Sequence, residues 1–407
     1  MAATERLKHM ERGSLLPMLP DEITTNLIIP RLPWRAMTKF SQLNHAWRAA
    51  LRSPEFYELR AQASNSQTIV TIQRLRCIIS LYDTATETWH FLPPPPSMRV
   101  GGGCGCVCVQ GKLYIIGGNA PDIRPRNDVY VLDLAGQGRW KQCASMRTAR
   151  KHFACAAYGG KIYVFGGFGA GNTTEVYDPD QDLWSDIAPM LSHRIEHKVV
   201  NIGDVFCVHM GTVLGSDDNM KWADSAEIYD PRKDHWTAVA NFAIDSSLKR
   251  KEPDVAAAAV VIDGKLHGIL DDWLYVYEEP LNSRANSQSL SWNGSGSWKA
   301  LQSISWDVFQ DPASPFLTNY CARGALAVAN DGELLALVRG QPDKDDNKWG
   351  WTFLKSKGLG SVGKQLTWEK VGGSACSTEQ CSTVSSWRDK VGDFNFSRCM
   401  SSIAGPW

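Results

Sequence analysis

The sequence predicts a small all-α unit followed by a large all-β propeller of six blades. Three observations carry this expectation. Helical spacing is confined to residues 17–60, the hydrophobic period changes near residue 68, and a glycine–tyrosine–tryptophan unit recurs from there on.

The front segment is read first. Pro20 suits the first turn of a helix through Asp21, Glu22 and Ile23, with Ile23 and Leu27 four apart and acids early. Pro30 and Pro33 interrupt that run, and Pro33 can open a second helix. In it Ala36, Met37, Phe40 and Leu43 follow the stripe of a buried face. A third helix places Trp47 and Leu51 four apart and stops at Ser53-Pro54. Three helices this short form a marginal core and would be steadier against a partner.

From residue 68 short β-branched or aromatic runs alternate with Gly, Asp, Pro and Asn turns. Lys112-Leu113-Tyr114-Ile115-Ile116-Gly117-Gly118 matches Lys161-Ile162-Tyr163-Val164-Phe165-Gly166-Gly167. Each is followed by a tyrosine strand ending in an acid, Tyr130 to Asp133 and then Tyr177-Asp178. Tyr229-Asp230 gives a third copy and Tyr82-Asp83 precedes them all. Trp89, Trp140, Trp184 and Trp236 follow these acids, and Trp298 and Trp368 mark two weaker units. A four-stranded sheet cannot bury both faces alone, so such units pack face to face around an axis. The glycines suit close backbone approach, and the aromatics fill the space between sheets.

These residues resemble the kelch motif over residues 68–404. The third copy departs from it, with Met210-Gly211 in the doublet slot, and the next two have Leu270-Asp271 and Arg339-Gly340. The first unit lacks an opening strand, whereas Phe396 to Ala404 looks like one with nothing after it. The C-terminus is therefore expected to supply the inner strand of the first blade and close the ring without exposed edges.

Leu19-Pro20, Ile23, Leu27, Ile28, Arg31-Leu32-Pro33, Phe40, Leu43, Trp47-Arg48, Leu51, Ser53, Pro54 and Phe56 resemble the F-box pattern. Asn44-His45 departs from it, where the family often has Cys and a basic residue. The expected domains are a disordered stretch 1–16, an F-box 17–62 and a kelch propeller 68–404. Together they look like the plant F-box/kelch proteins. That resemblance implies a non-catalytic substrate receptor of an SCF-type cullin–RING ubiquitin ligase, whose F-box binds the Skp-type adaptor and whose propeller holds the target protein. By resemblance the adaptor-contact candidates are Leu19, Pro20, Ile23, Ile28, Leu32 and Pro33.

Sixteen residues before successive doublet slots stand Arg150, Arg194 and Arg323, and the closing strand offers Arg398. Gly101 and Asp254 occupy the slot elsewhere. In a ring the arginines would recur near one rim of the channel, where guanidinium forks suit acidic target segments. The alternative is that each ties down neighbouring carbonyls and turns.

Composition bounds the remaining classes. The chain has 407 residues, and Lys plus Arg balance Asp plus Glu at 43 each, which argues against nucleic-acid and membrane-surface partners. The first twenty residues lack the apolar core of a secretory signal, and the apolar run Val255 to Ile262 is far short of the roughly 20 residues that span a bilayer. A cytoplasmic or nuclear protein is expected, whose 11 cysteines are free thiols. No cofactor or metal is expected. His193-Arg194-Ile195-Glu196-His197 spells an inverted zinc-protease string that would need a helix, Cys104, Cys106 and Cys108 read as small residues on an inner strand, and Gly101-Gly102-Gly103 reads as a turn. The competing functions are a propeller enzyme, for which no convergent acid/base set is visible, and a pure scaffold.

Overall fold

The computed structural model describes residues 15–16, 19–32, 34–53, 55–56, 59, 68–73, 78–83, 88–96, 103–119, 124–134, 139–214, 220–240, 242, 259–262, 264–270, 273–278, 296–303, 325–328, 334–339, 351–357, 366–371 and 400–405.

The helical unit starts with α1, Asp21–Ile23, whose first turn carries Asp21 and Glu22 against the positive end of the dipole. It runs on into a π turn, Thr24–Ile28, and a 3-10 turn, Ile29–Arg31. Pro30 is the physical reason for the change of pitch. It has no N–H to donate, and its ring excludes the carbonyl four residues back. The amide of Ile29 bonds instead to the oxygen of Thr24, five residues earlier. Helix α2, Trp34–Phe40, and helix α3, His45–Ala50, follow, and Glu55, Phe56 and Leu59 are helical beyond them. Asn44, which departs from the family pattern, is the N-cap of α3. Its side chain accepts the amide of Trp47 at 2.9 Å.

Leu15, Ile29, Met37, Trp47, Leu51 and Phe56 form the core, with Leu16, Leu32 and Phe40 packed against it. The Trp47 indole N–H donates to the Leu15 carbonyl at 2.7 Å, and its ring stacks on Phe40. The helical unit therefore reaches back to Leu15, two residues into the stretch expected to be disordered; residues 1–14 lie outside the described residues. The expected stripe of α2 is also corrected at its end. The helix stops at Phe40, a turn follows, and Leu43 points to solvent.

Among the described residues six four-stranded antiparallel sheets follow. Blade I joins Met400–Gly405 to Thr68–Gln73, Ile78–Asp83 and Thr88–Leu92. Blade II is Gly105–Val109, Lys112–Asn119, Pro125–Asp133 and Trp140–Cys143. Blade III is Ala154–Tyr158, Lys161–Phe165, Thr174–Asp178 and Leu183–Ile187. Blade IV is Lys198–Ile202, Val205–His209, Ala226–Asp230 and His235–Val239. Blade V is Ala259–Ile262, Lys265–Leu270, Trp273–Glu278 and Ser297–Ser303, and blade VI is Ala325–Val328, Leu334–Arg339, Trp351–Lys357 and Thr367–Val371.

The opening strands of successive blades touch in a cycle from II through VI, and the C-terminal strand lies between those of VI and II. That strand pairs antiparallel with the first strand of the N-terminal portion, Thr68 opposite Gly405 and Gln73 opposite Met400. The ring thus closes as the sequence predicted.

The repeat residues make a latch between blades. Four of the fourth-strand tryptophans donate their indole N–H to a carbonyl in the segment leaving the preceding blade. The pairs are Trp140 to Pro93, Trp184 to Ala144, Trp236 to Ala188 and Trp298 to Phe242, at 2.7 to 2.9 Å. The turn aspartate adds a second bond. Asp182 accepts both the Tyr177 hydroxyl and the Ala144 amide, and Asp234 does the same for Tyr229 and Ala188. The apolar clusters likewise lie between sheets. Ile116 and Val129 of blade II meet Val164, Tyr177 and Trp184 of blade III, and Phe165 of blade III meets Phe206, Tyr229 and Trp236 of blade IV. Burying an aromatic of this size contributes about 1.5–3 kcal/mol.

The second glycine of each doublet is required by close approach. A Cβ on Gly167 would lie 2.6 Å from Phe153 Cβ and 2.8 Å from the Lys151 oxygen, at a φ of +96°. Where Met210-Gly211 replaces the doublet, blade IV instead extends a hairpin. Thr212–Leu214 pairs with Met220–Trp222 and with the short strand Arg194–Ile195. Among the described residues no helix is long and apolar enough to cross a membrane.

Candidate partner-binding surfaces

Two surfaces can meet other proteins, and the first is on the helical unit. Leu19, Ile23, Leu27 and Leu43 expose between 40% and 62% of their surface although all are large and apolar. Pro20 is exposed beside them, while Ile28 and Leu32 are only half exposed and Leu32 packs on the core. Of the six adaptor candidates, the structure brings Leu19, Pro20 and Ile23 to the surface, leaves Ile28 and Leu32 partly inside, and Pro33 lies outside the described residues. Leu27 and Leu43 were not among the candidates. The signal that singles them out is their exposure, which depends on the π turn and on the end of α2.

The helical unit is fastened to blade II by an ion pair, Arg52 to Asp133 at 3.2 Å. Both partners are substantially exposed, so the pair fixes orientation more than it stabilises.

The second surface is the propeller face where the inter-blade segments meet the second-to-third-strand loops. Phe168 bonds through its backbone to Lys151, Glu196 to His152, and Leu214 to His193, which knits the loops of blades III and IV together. Phe168, Leu191 and Leu214 are exposed there, and the Lys151 ammonium lies 4.6 Å from the Phe168 ring centre. His152 and Glu196 approach to 3.6 Å.

Two of the arginines expected to reach a target, Arg150 and Arg194, are not exposed on this face. Arg150 and Arg194 are 0% exposed. The Arg150 guanidinium donates to the Gly166 and Thr173 carbonyls at 2.9 and 3.0 Å and to Glu175 at 2.5 Å. Glu175 in turn accepts the amides of Arg147 and Thr148. Arg194 repeats the arrangement one blade on, with Glu227 at 2.8 Å, the Met210 and Ser225 carbonyls, and the Ser225 hydroxyl. Glu227 also takes the amide of Leu191. Burial pushes the Arg150 guanidinium below its ordinary value, and the Glu175 carboxylate works against that shift.

The geometry is that of the carbonyl-tying alternative. Each fork stitches the doublet turn and the third strand to the loop entering its blade. A side chain with no exposed surface cannot touch a target unless the loop opens, which corrects the placement of both residues. Their partners, Glu175 and Glu227, stand two residues before the motif tyrosines Tyr177 and Tyr229. That repeated spacing was the available and unread signal. Arg323 and Arg398, with Gly101 and Asp254, lie outside the described residues.

The histidine string is not on a helix. Arg194–Ile195 is a strand and Glu196 has a φ of +60°. The buried His197 ring places Nε2 3.0 Å from the Phe165 carbonyl, so the neutral ring donates there. Burial, with Arg194 close by, holds His197 down at about 3, and burial beside Lys198 and Arg194 does the same for His209. Cys104, Cys106 and Cys108 pack with Ile79, Leu113 and Leu132 between blades I and II. Burial raises the Cys106 and Cys108 thiols well above the ordinary range, which disfavours the reactive thiolate.

The chain is similar to known proteins. The KLHDC2/KLHL20/DRC7 Kelch-repeats domain family matches residues 71–267. The F-box/kelch-repeat protein At2g44130 of Arabidopsis thaliana is 29% identical over 271 residues, covering 56% of this chain and 65% of that protein. The F-box/kelch-repeat protein SKIP20, also of Arabidopsis thaliana, is 29% identical over 304 residues, covering 61% of this chain and 72% of that protein. The chain thus spans just under two thirds of the first relative and somewhat more of the second. The solved structure of YjhT matches 69% of this chain and 86% of its own at 16% identity, with a TM-score of 0.46.

Proposed function

We propose that this chain, an F-box/kelch-repeat protein, is the substrate-recognition subunit of an SCF-type cullin–RING ubiquitin ligase. Its helical unit docks on the Skp-type adaptor, and its propeller holds a protein target for ubiquitination inside the cell, in cytoplasm or nucleus. The chain itself performs no chemistry; it brings the target near the ubiquitin-carrying machinery.

The observation that carries this reading is the set of exposed large apolar side chains, Leu19, Ile23, Leu27 and Leu43, on a unit whose core among the described residues is Leu15, Ile29, Met37, Trp47, Leu51 and Phe56. Leaving four large apolar side chains in water is unfavourable, and a partner that covers them recovers that free energy. The closed ring supplies what a receptor needs, a face built of loops held by a scaffold of sheets. On that face Phe168, Leu191, Leu214 and Lys151 are the residues we assign to target contact.

The test is binding of the purified full chain to the purified adaptor, followed by affinity co-purification of targets with the proteasome blocked. Adaptor binding that is lost in a Leu19→Asp, Ile23→Asp variant with an unchanged melting temperature supports the reading. A folded protein that ignores the adaptor overturns it.

A further inference from the structure

The π turn Thr24–Ile28 has a consequence for which residues meet the adaptor, and the inference drawn from it rests on the function proposed above. In an uninterrupted α-helix the residue below Thr24 on the inner face is Ile28, four positions on. Here the amide of Ile29 bonds to Thr24, and Ile29 occupies that inner place. Thr24 and Ile29 are both almost fully buried, five residues apart, Ile28 is displaced to the edge of the core, and Leu27 is 54% exposed. The displacement originates at Pro30, buried next to Ile29, which cannot take the α-helical hydrogen bond. Thr24 reinforces the turn, since its hydroxyl donates to the Pro20 carbonyl at 3.3 Å. A one-residue widening of this kind re-aims every side chain beyond it, which is why π turns matter where a helix meets a partner.

We infer that the π turn imposed by Pro30 sets the register of the adaptor-binding face, making Leu27 the third apolar anchor beside Leu19 and Ile23 and putting Ile29, in place of Ile28, into the helical core. Leu27 is an anchor, and Pro30 is a positioning residue that acts through it.

The experiment measures adaptor affinity calorimetrically for the full-length wild type and for Leu27→Ser, Ile28→Ser, Pro30→Ala and the Leu27→Ser, Pro30→Ala double variant, with a melting curve for each. Because Leu27 is exposed, Leu27→Ser melts as the wild type does yet binds about tenfold or more weakly, the loss expected for one buried leucine. Ile28→Ser lowers the melting temperature and changes affinity less. Pro30→Ala weakens binding several-fold, and the double variant is little weaker than Pro30→Ala alone, because without the π turn Leu27 no longer faces the adaptor. Wild-type affinity in Leu27→Ser, a larger affinity loss in Ile28→Ser, or independent additive losses in the double variant would each overturn the inference while leaving the ligase reading intact. A wild type that does not bind the adaptor overturns both.

Discussion

Replacing Glu175 with Gln tests whether the buried Arg–Glu pairs hold the blades rather than a target. The side chain keeps its size, but the Arg150 guanidinium loses its counter-charge in a site where both partners have 0% side-chain exposure. The carboxylate also accepts the amides of Arg147 at 2.7 Å and Thr148 at 3.1 Å. Glutamine offers one oxygen and an NH2, so at least one of these donors faces another donor. Removing one partner of a buried pair costs about 3–5 kcal/mol. At roughly 2–4 °C per kcal/mol, the scale for domains somewhat smaller than this ring, the melting temperature falls by about 6–20 °C. Arg147→Gln is the control. Its pair with Asp186 spans 3.1 Å but both side chains are about 60% exposed, and the change is expected to move the melting temperature by less than about 2 °C. Thermal unfolding at pH 7, followed by circular dichroism, reads both. If Glu175→Gln melts with Arg147→Gln, the pair is not structural and the placement of Arg150 inside the blade loses its meaning.

Two further outcomes follow from the same geometry. His197 and His209 are neutral in the fold, with pKa values near 3, whereas unfolded histidine titrates near 6.5. The unfolded chain therefore binds more protons between these values. Stability is flat above about pH 6.5 and falls as pH drops below it, by up to about 1.4 kcal/mol per pH unit for each ring; melting curves from pH 7.5 to 4.5 should show this, with a shallower fall in His209→Phe. Trp184→Phe keeps the aromatic packing on Tyr177 but removes the 2.9 Å bond to the Ala144 carbonyl, and denaturant titration should find a loss of about 1–2 kcal/mol; no measurable loss would mean that the latch between blades II and III is packing alone.

The propeller was legible because its determinants are local and repeated. The tyrosine strand ending in an acid and the tryptophan six or seven residues after it recur along the chain, with the glycine doublet in two units, and each has a steric or hydrogen-bonding reason within or between blades. Closure by Met400–Gly405 was legible by subtraction, since the first unit lacked a strand and the tail had one to give. The arginines were misplaced because a sixteen-residue offset fixes a position along the blade but not whether a guanidinium turns in or out. The carboxylates that decide this, Glu175 and Glu227, come from a different strand. The hairpin Thr212–Trp222 in blade IV was hidden where the doublet is lost, and its strands are only three residues each. In the helical unit the apolar skeleton was correct, but Pro30 was read as a break when it re-pitches the helix, and the exposed Leu27 and Leu43 follow from that geometry and from the early stop of α2.

The account depends above all on the helical unit being completed by another protein. Titrating the purified full-length chain with the purified Skp-type adaptor measures this directly. The expected result is a saturable one-to-one complex whose heat-capacity change is negative, as burial of Leu19, Ile23, Leu27 and Leu43 requires. A correctly folded chain that gives no complex, or one that forms equally well after those leucines and Ile23 are replaced by serine, would contradict it.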